Sequence, residues 1–243
     1  PLVEKVSFSP YGDVNALRDV VDKDTAFVIL EPIQGESGIH VPPEGFLQEV
    51  RKICDENNSL LIFDEIQSGL GRTGSMWASE HWKTVPDIMC LAKGIAGGVP
   101  MGVTLVRPDI LSVMKKGEHS STFGGNPLAC AAGTATLHAL TQDGLIENAK
   151  SIGEKFSNGL EELKSKHPII REVRGKGLMI GVELKFEVKD ILMEGIKNGL
   201  LLLYSGRNIL RFLPPLVISE EDTVKTLQIL DKLLTNEENR RNA

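Results

Sequence analysis

Polar, ionisable residues stand where apolar runs end. Asp64 follows Leu60-Leu61-Ile62-Phe63, Lys93 follows Ile88-Met89-Cys90-Leu91-Ala92, and Glu31 follows Ala26-Phe27-Val28-Ile29-Leu30. Such a residue most simply opens a loop. Two features favour chemistry. Glycines follow closely, Gly69, Gly71 and Gly74 after the aspartate and Gly94, Gly97 and Gly98 after the lysine. Glycine lets backbone approach a ligand. A lysine just past a buried strand is also partly desolvated, which makes its amine a candidate nucleophile.

The elements that would position these groups read as alternating strands and helices. Residues 26–30, 59–63, 88–92 and 102–106 are short apolar runs suited to strands buried on both faces, as in parallel sheets covered by helices. Residues 44–58 place Phe46, Leu47, Val50, Ile53 and Cys54 on one helical face. Ligands of such α/β sheets are expected beyond the carboxyl ends of the strands. Asn126-Pro127 has the form of a helix start, and Thr141-Gln142-Asp143-Gly144 that of a break. Beyond it, Leu145, Ile146, Ala149, Ile152, Phe156, Leu160 and Leu163 trace one stripe of a long helix. A strand over 178–184, a helix over about 187–198, short runs at 200–203 and 209–213, and a helix opened by Ser219 and Asp222 complete a smaller α+β part. Two domains are expected, 1–141 and 142–243, with a polar, frayed tail over 236–243.

Composition narrows the function class. The 41% hydrophobic and 25% charged residues exclude a disordered chain. A net charge of −6 supplies no global attraction to nucleic acid or anionic lipid. No apolar run approaches the ~18 residues of a membrane helix. Cys54, Cys90 and Cys130 are widely spaced, which reads as three small buried thiols in a cytoplasmic protein. The histidines lack ligand-like spacing, Asp64-Glu65 lacks further ligands, and no metal site is expected. Gly175-Lys176-Gly177 precedes a strand and reads as a turn, not a dinucleotide fingerprint. Residue 1 is Pro, not Met, and the opening reads as entry into a loop, the mark of a fragment or a processed product.

The segments LIFDEIQSGLGRTG at 61–74 and LAKGIAGGVPMG at 91–102 resemble the class III, or ornithine-type, pyridoxal-phosphate aminotransferases. EPIQGESG at 31–38, STFGGNP at 121–127 and LRFLPPLVI at 210–218 fit the same family in the same order. Within it the chain is most similar to the acetylornithine and lysine-biosynthesis aminotransferases. The resemblance implies the fold type I transferase architecture: a mostly parallel sheet with covering helices and a smaller C-terminal α+β domain. Residues 1–141 would then be the C-terminal part of the large cofactor domain. The family also carries an N-terminal portion ahead of the point matching Pro1, with part of the phosphate loop, an aromatic that stacks on the cofactor and an arginine for the donor carboxylate.

The resemblance also implies roles for particular residues. Lys93 matches the lysine that holds pyridoxal phosphate covalently, and Asp64 the carboxylate on the pyridinium nitrogen. Gln67 matches the residue near the ring hydroxyl, and Thr122 a phosphate ligand reaching a neighbouring subunit's site in a homodimer. Ser121 lies where the amino substrate contacts, Arg211 grips a substrate carboxylate, and Glu36 is its ion-pair partner. The residue types suit the work. An anion at ~4 Å in an effective dielectric of ~20 attracts a ring cation by ~4 kcal/mol before desolvation, and the cofactor withdraws electrons best when its ring nitrogen stays protonated. A lysine amine can hold the cofactor and, once displaced, carry a proton as base and then acid. Glu36 would neutralise Arg211 while an ornithine-like donor is bound and swing away for glutamate. The expected reaction moves the terminal amino group of N-acetylornithine, or a related ornithine or lysine precursor, to 2-oxoglutarate, in arginine or lysine biosynthesis. An aminomutase needing no exchange partner and a silent fragment serving only in assembly are the alternatives.

Overall fold

The computed structural model describes residues 4–242. Tertiary contacts divide the chain into two units. Unit 1 holds residues up to Pro32, Pro42–Gln67 and Ser79–Thr136; unit 2 holds Ile33–Val41, Ser68–Ala78 and Leu137 onward.

Unit 1 is built on a four-stranded sheet of β1 (Phe27–Leu30), β2 (Leu60–Asp64), β3 (Ile88–Leu91) and β4 (Val103–Val106), in that spatial order. The first three are parallel and β4 runs antiparallel to β3. Helix α1 (Val14–Val20) and helix α2 (Phe46–Asn57) accompany them, with the four-residue helix α3 (Pro108–Leu111) after β4. Helix α2 buries the expected face, Phe46, Leu47, Val50, Ile53 and Cys54, and stops where Asn58 turns left-handed at φ 58°. Burial of the strands departs from expectation. Only alternate residues of β2 and β3 are fully buried, and Phe27 and Ile29 of β1 and Leu105 of β4 are exposed. The less buried residues of β1 and β2 share one face, since Phe27 and Ile29 are register partners of Leu60 and Ile62, and Leu105 lies on the edge strand β4. Cys130 is likewise exposed, so the three cysteines are not all buried.

Helix α4 (Pro127–Gln142) starts as its sequence dictates. The Asn126 side-chain oxygen accepts from the Ala129 amide at 2.9 Å, and Pro127 occupies the first turn, where a missing N–H costs nothing.

Unit 2 carries an antiparallel sheet of β5 (Ile170–Lys176), β6 (Met179–Leu184), β7 (Leu203–Ser205) and β8 (Ile209–Phe212), ordered β5-β6-β8-β7. Helices α5 (Leu145–Lys166), α6 (Lys189–Lys197) and α7 (Glu220–Asn242) supply its other layer. The core joins Phe156, Leu160 and Leu163 of α5 to Ile180, Val182, Leu210 and Phe212 of the sheet and Leu230 and Leu234 of α7. Phe156 and Phe212 meet edge to face, 5.2 Å between centroids. Ser219 and Asp222 form a reciprocal cap, each accepting from the other's amide.

Unit 2 departs from expectation in two places. Over 236–242 the tail is helical, not frayed, because buried Glu237 pairs with Arg240 and Arg241 one turn on and Arg241 lies 3.6 Å above the Phe186 ring; Ala243 lies outside the described residues. In the glycine run at 69–74, Gly74 faces protein backbone and not open space. Added Cβ atoms would collide with backbone inside unit 2: Gly177 on Thr73 at 2.4 Å, Gly74 on the Lys150 Cα at 2.9 Å, and Gly153 on Gly177 at 2.3 Å. These glycines allow a loop, the β5–β6 turn and α5 to touch directly.

Candidate active site

Asp64 ends β2, and Lys93 lies two residues past the end of the neighbouring parallel strand β3. In register Asp64 pairs with Cys90, three residues ahead of Lys93 in sequence, which opens the turn after β3. The Asp64 Oδ1 accepts from the Ile66 amide at 2.9 Å, which orients the carboxylate and leaves it further acceptor capacity. Its negative charge, after burial, pushes the Cys90 thiol up in pKa. Lys93 adopts φ 48°, a left-handed conformation unusual outside glycine, asparagine and aspartate. It opens a short 3-10 turn, Lys93–Ala96, which closes on Gly97 at φ 59° and is followed by Gly98 at φ 110°. The desolvation expected of Lys93 is not met in this chain, where the residue is exposed.

Glu65, which the sequence offers only as a metal-ligand candidate with Asp64, is fully buried beside it. Its carboxylate accepts from the Ser79 amide at 2.8 Å, and its own amide donates to the Cys90 carbonyl at 3.0 Å. Glu65 thus ties the end of β2 both to β3 and to the 3-10 turn Ala78–Trp82. Gln67 is half-buried three residues beyond Asp64. Ser121 and Thr122 are exposed, on the segment between α3 and α4; the Ser121 hydroxyl accepts from the Gly124 amide at 3.1 Å.

The remaining predicted site residues meet within unit 2. Arg211, on β8 and almost wholly buried, places Nη1 2.7 Å from the Glu36 Oε1, whereas the Glu36 side chain is 73% exposed. The contact is a charge contact without hydrogen-bond alignment, since Arg211 Nε and Nη1 have no aligned acceptor. A buried guanidinium so under-satisfied retains directed donors for a carboxylate. The Ser205 hydroxyl donates to the Glu36 carbonyl. Sequence reading missed Arg174, on β5, whose Nε donates to the Gly38 carbonyl at 2.9 Å.

The donor set suits a cationic ring with a reactive carbonyl: an oriented carboxylate and a primary amine beyond the carboxyl ends of adjacent parallel strands. No group of three or more His, Cys, Asp or Glu among the described residues is placed to hold a metal ion. No helix among the described residues is long and apolar enough to cross a membrane.

Comparison with known proteins gives one family. A model described as aminotransferase class-III matches residues 7–234. The acetylornithine aminotransferase of Caldanaerobacter subterraneus subsp. tengcongensis is 47% identical over 236 residues, covering 97% of this chain and 60% of that protein. Ornithine aminotransferase 1 of Staphylococcus saprophyticus is 43% identical over 96% of this chain and 59% of its own length. Among solved structures, an acetylornithine aminotransferase from Elizabethkingia anophelis superposes with a TM-score of 0.89 at 38% identity, over 93% of this chain and 59% of that one. A Toxoplasma gondii ornithine aminotransferase, described with partial occupancy of PLP at its active site, superposes with a TM-score of 0.92 at 37% identity, over 99% of this chain and 59% of that one. The chain therefore spans about 60% of the length of the relatives it matches.

Proposed function

Because this chain belongs to the class III aminotransferases, we propose that it supplies the catalytic part of a pyridoxal-phosphate enzyme. The reaction is transfer of the terminal amino group of N-acetylornithine, or a related ornithine or lysine precursor, to 2-oxoglutarate. The observation that supports the reading is the register of β2 and β3, which brings the end of β2, with Asp64, beside the end of β3, two residues ahead of Lys93. The names of the acetylornithine and ornithine aminotransferases it is similar to support the substrate class.

The bound cofactor supplies an electron sink for the carbon that exchanges the amine. Asp64 holds the proton on its ring nitrogen, and the Ile66 amide keeps the carboxylate turned for that work. The Lys93 amine anchors the cofactor and, when released, moves a proton as base and then acid. Gln67 stands for the ring hydroxyl. Thr122, on an exposed segment, is available to the phosphate of a second copy in a homodimer, and Ser121 to the amino substrate. Arg211 grips the carboxylate of glutamate or 2-oxoglutarate, and Glu36 neutralises it when the donor offers none. Free thiols at Cys54, Cys90 and Cys130 suit a reducing cytoplasm.

The test mixes the full chain with pyridoxal phosphate. A visible absorption band should appear with the wild-type sequence and be absent from Lys93→Ala of equal circular dichroism. Turnover of N-acetylornithine should require added 2-oxoglutarate. A folded wild-type chain that shows no band, or a band that survives in Lys93→Ala, refutes the assignment.

A further inference from the structure

Arg174, Gly181, Arg211 and Leu203 are partners across β5, β6, β8 and β7. Directly opposed residues of antiparallel strands leave the same face of a sheet. Arg174 and Arg211 therefore stand on one face, two strand spacings or about 10 Å apart, with Gly181 between them. Residues 33–41 cross that gap. A Cβ on Gly181 would come within 3.1 Å of the Ile39 Cβ and 3.3 Å of the Gly38 carbonyl oxygen, so only glycine leaves room.

The crossing segment is pinned on both sides. Arg211 meets the Glu36 carboxylate at 2.7 Å, and Arg174 Nε donates to the Gly38 carbonyl at 2.9 Å. Backbone bonds between Gln34 and His40, both 3.0 Å, close the turn. Inside it Ile39 is fully buried at φ 56°. A β-branched residue in that region costs on the order of 1–2 kcal/mol, so the turn keeps its shape only while it is held. Arg174 is not a spare cation for substrate. Glu172 at 2.6 Å and Glu183 at 2.8 Å neutralise it.

We propose that Arg174 is a positioning residue for substrate discrimination: by clamping the Gly38 carbonyl it holds the strained 34–40 turn so that Glu36 competes with a substrate carboxylate for Arg211. The inference rests on the role proposed above for Glu36 and Arg211.

Glutarate, a dicarboxylate with no group to transaminate, is the probe. Its Kd is measured calorimetrically on the full chain and on Glu36→Gln, Arg174→Met, Arg174→Lys and the Glu36→Gln/Arg174→Met double variant, with hydrogen exchange followed over 33–41. Removing the competing carboxylate should tighten glutarate about ten-fold, a change of roughly 1.4 kcal/mol. Arg174→Met should tighten it to a similar extent, and the double variant no further than either alone. Exchange at Gln34 and His40 should rise at least about ten-fold in Arg174→Met while the β5–β6 ladder is unchanged. Arg174→Lys keeps the charge beside Glu172 and Glu183 but loses the Nε–H, and should loosen the turn as well, so the test survives if the methionine variant fails to fold. Unchanged exchange in the Arg174 variants, or multiplicative effects in the double variant, overturn the role of Arg174 alone. An unchanged Kd in Glu36→Gln removes the Glu36 switch itself, and the clamp falls with it.

Discussion

The two ends of the unit 1 sheet each carry a critical aspartate, and they treat it in opposite ways. At the amino ends of β2 and β3, Asp87 is buried and its carboxylate is saturated. Oδ2 accepts from the Leu61 amide at 2.7 Å and from Arg51 at 2.8 Å, and Oδ1 meets Arg107 at 2.5 Å. At the carboxyl ends, Asp64 is only half-buried and is oriented by the Ile66 amide. A saturated carboxylate seals an edge, whereas a carboxylate oriented with acceptor capacity to spare can serve a ligand. The lysine beside it, left exposed on a left-handed backbone, fits that division.

The sharpest way to break the contrast is to neutralise both aspartates. Asp64→Asn should reduce amino transfer at least about 10³-fold, or ~4 kcal/mol in the barrier, because an amide cannot hold a ring cation. Its denaturation midpoint should stay within ~0.5 kcal/mol of wild type. Asp87→Ala should cost about 3 kcal/mol of unfolding free energy, by stranding the Leu61 amide and two arginines. Denaturant titrations paired with rates read both. Equal stability losses at 64 and 87 would erase the distinction.

What sequence reveals here depends on how far a residue's partners lie along the chain. Helices α2, α5 and α7 were legible because their apolar stripes and caps are complete within a few turns, as with Asn126 ahead of α4. Strand β5 was not. Its Arg171 and Arg174 look like surface charge until Glu183, across the hairpin, is known to pair with both. The glycines at 69–74 suggested a cradle because their steric partners, Lys150 and Gly177, lie far along the chain. Asp64 and Lys93 stood out because strand ends are visible as the ends of apolar runs. Glu65 reads only as a metal-ligand candidate beside Asp64, since nothing local shows that it turns inward to the Ser79 amide.

A smaller effect at Asp87 is read by pH. Burial alone would raise the Asp87 carboxyl, but the Leu61 amide and the Arg51 and Arg107 guanidiniums outweigh it and hold it below the usual aspartate range. A carboxyl depressed on folding stabilises above its unfolded value and loses that contribution as pH falls through the folded one. Stability of the wild-type chain should therefore drop steeply below about pH 4. Asp87→Asn should flatten that slope.

Unit 2 inverts the sign of this dependence. His167 caps α5 and is buried, with Nδ1 2.9 Å from the Glu238 Oε2 and Nε2 2.7 Å from the Asp231 Oδ1. Two carboxylate acceptors require both ring nitrogens to donate, so the bound form is the imidazolium. Burial opposes that charge, but hydrogen bonds to Asp231 and Glu238 overcome it and raise the pKa. A group raised on folding stabilises fully below its unfolded value, near 6.5, and loses that contribution as pH climbs through the folded one. The pairing fastens α7 to the end of α5, and its loss should cost on the order of 1 kcal/mol, given that Asp231 is partly solvated. Unfolding midpoints measured at pH 6 and pH 9 should fall across that interval for wild type and stay level for His167→Gln. Parallel lines for the two proteins would mean that the imidazole is neutral in the fold and that α7 is held by its apolar stripe alone.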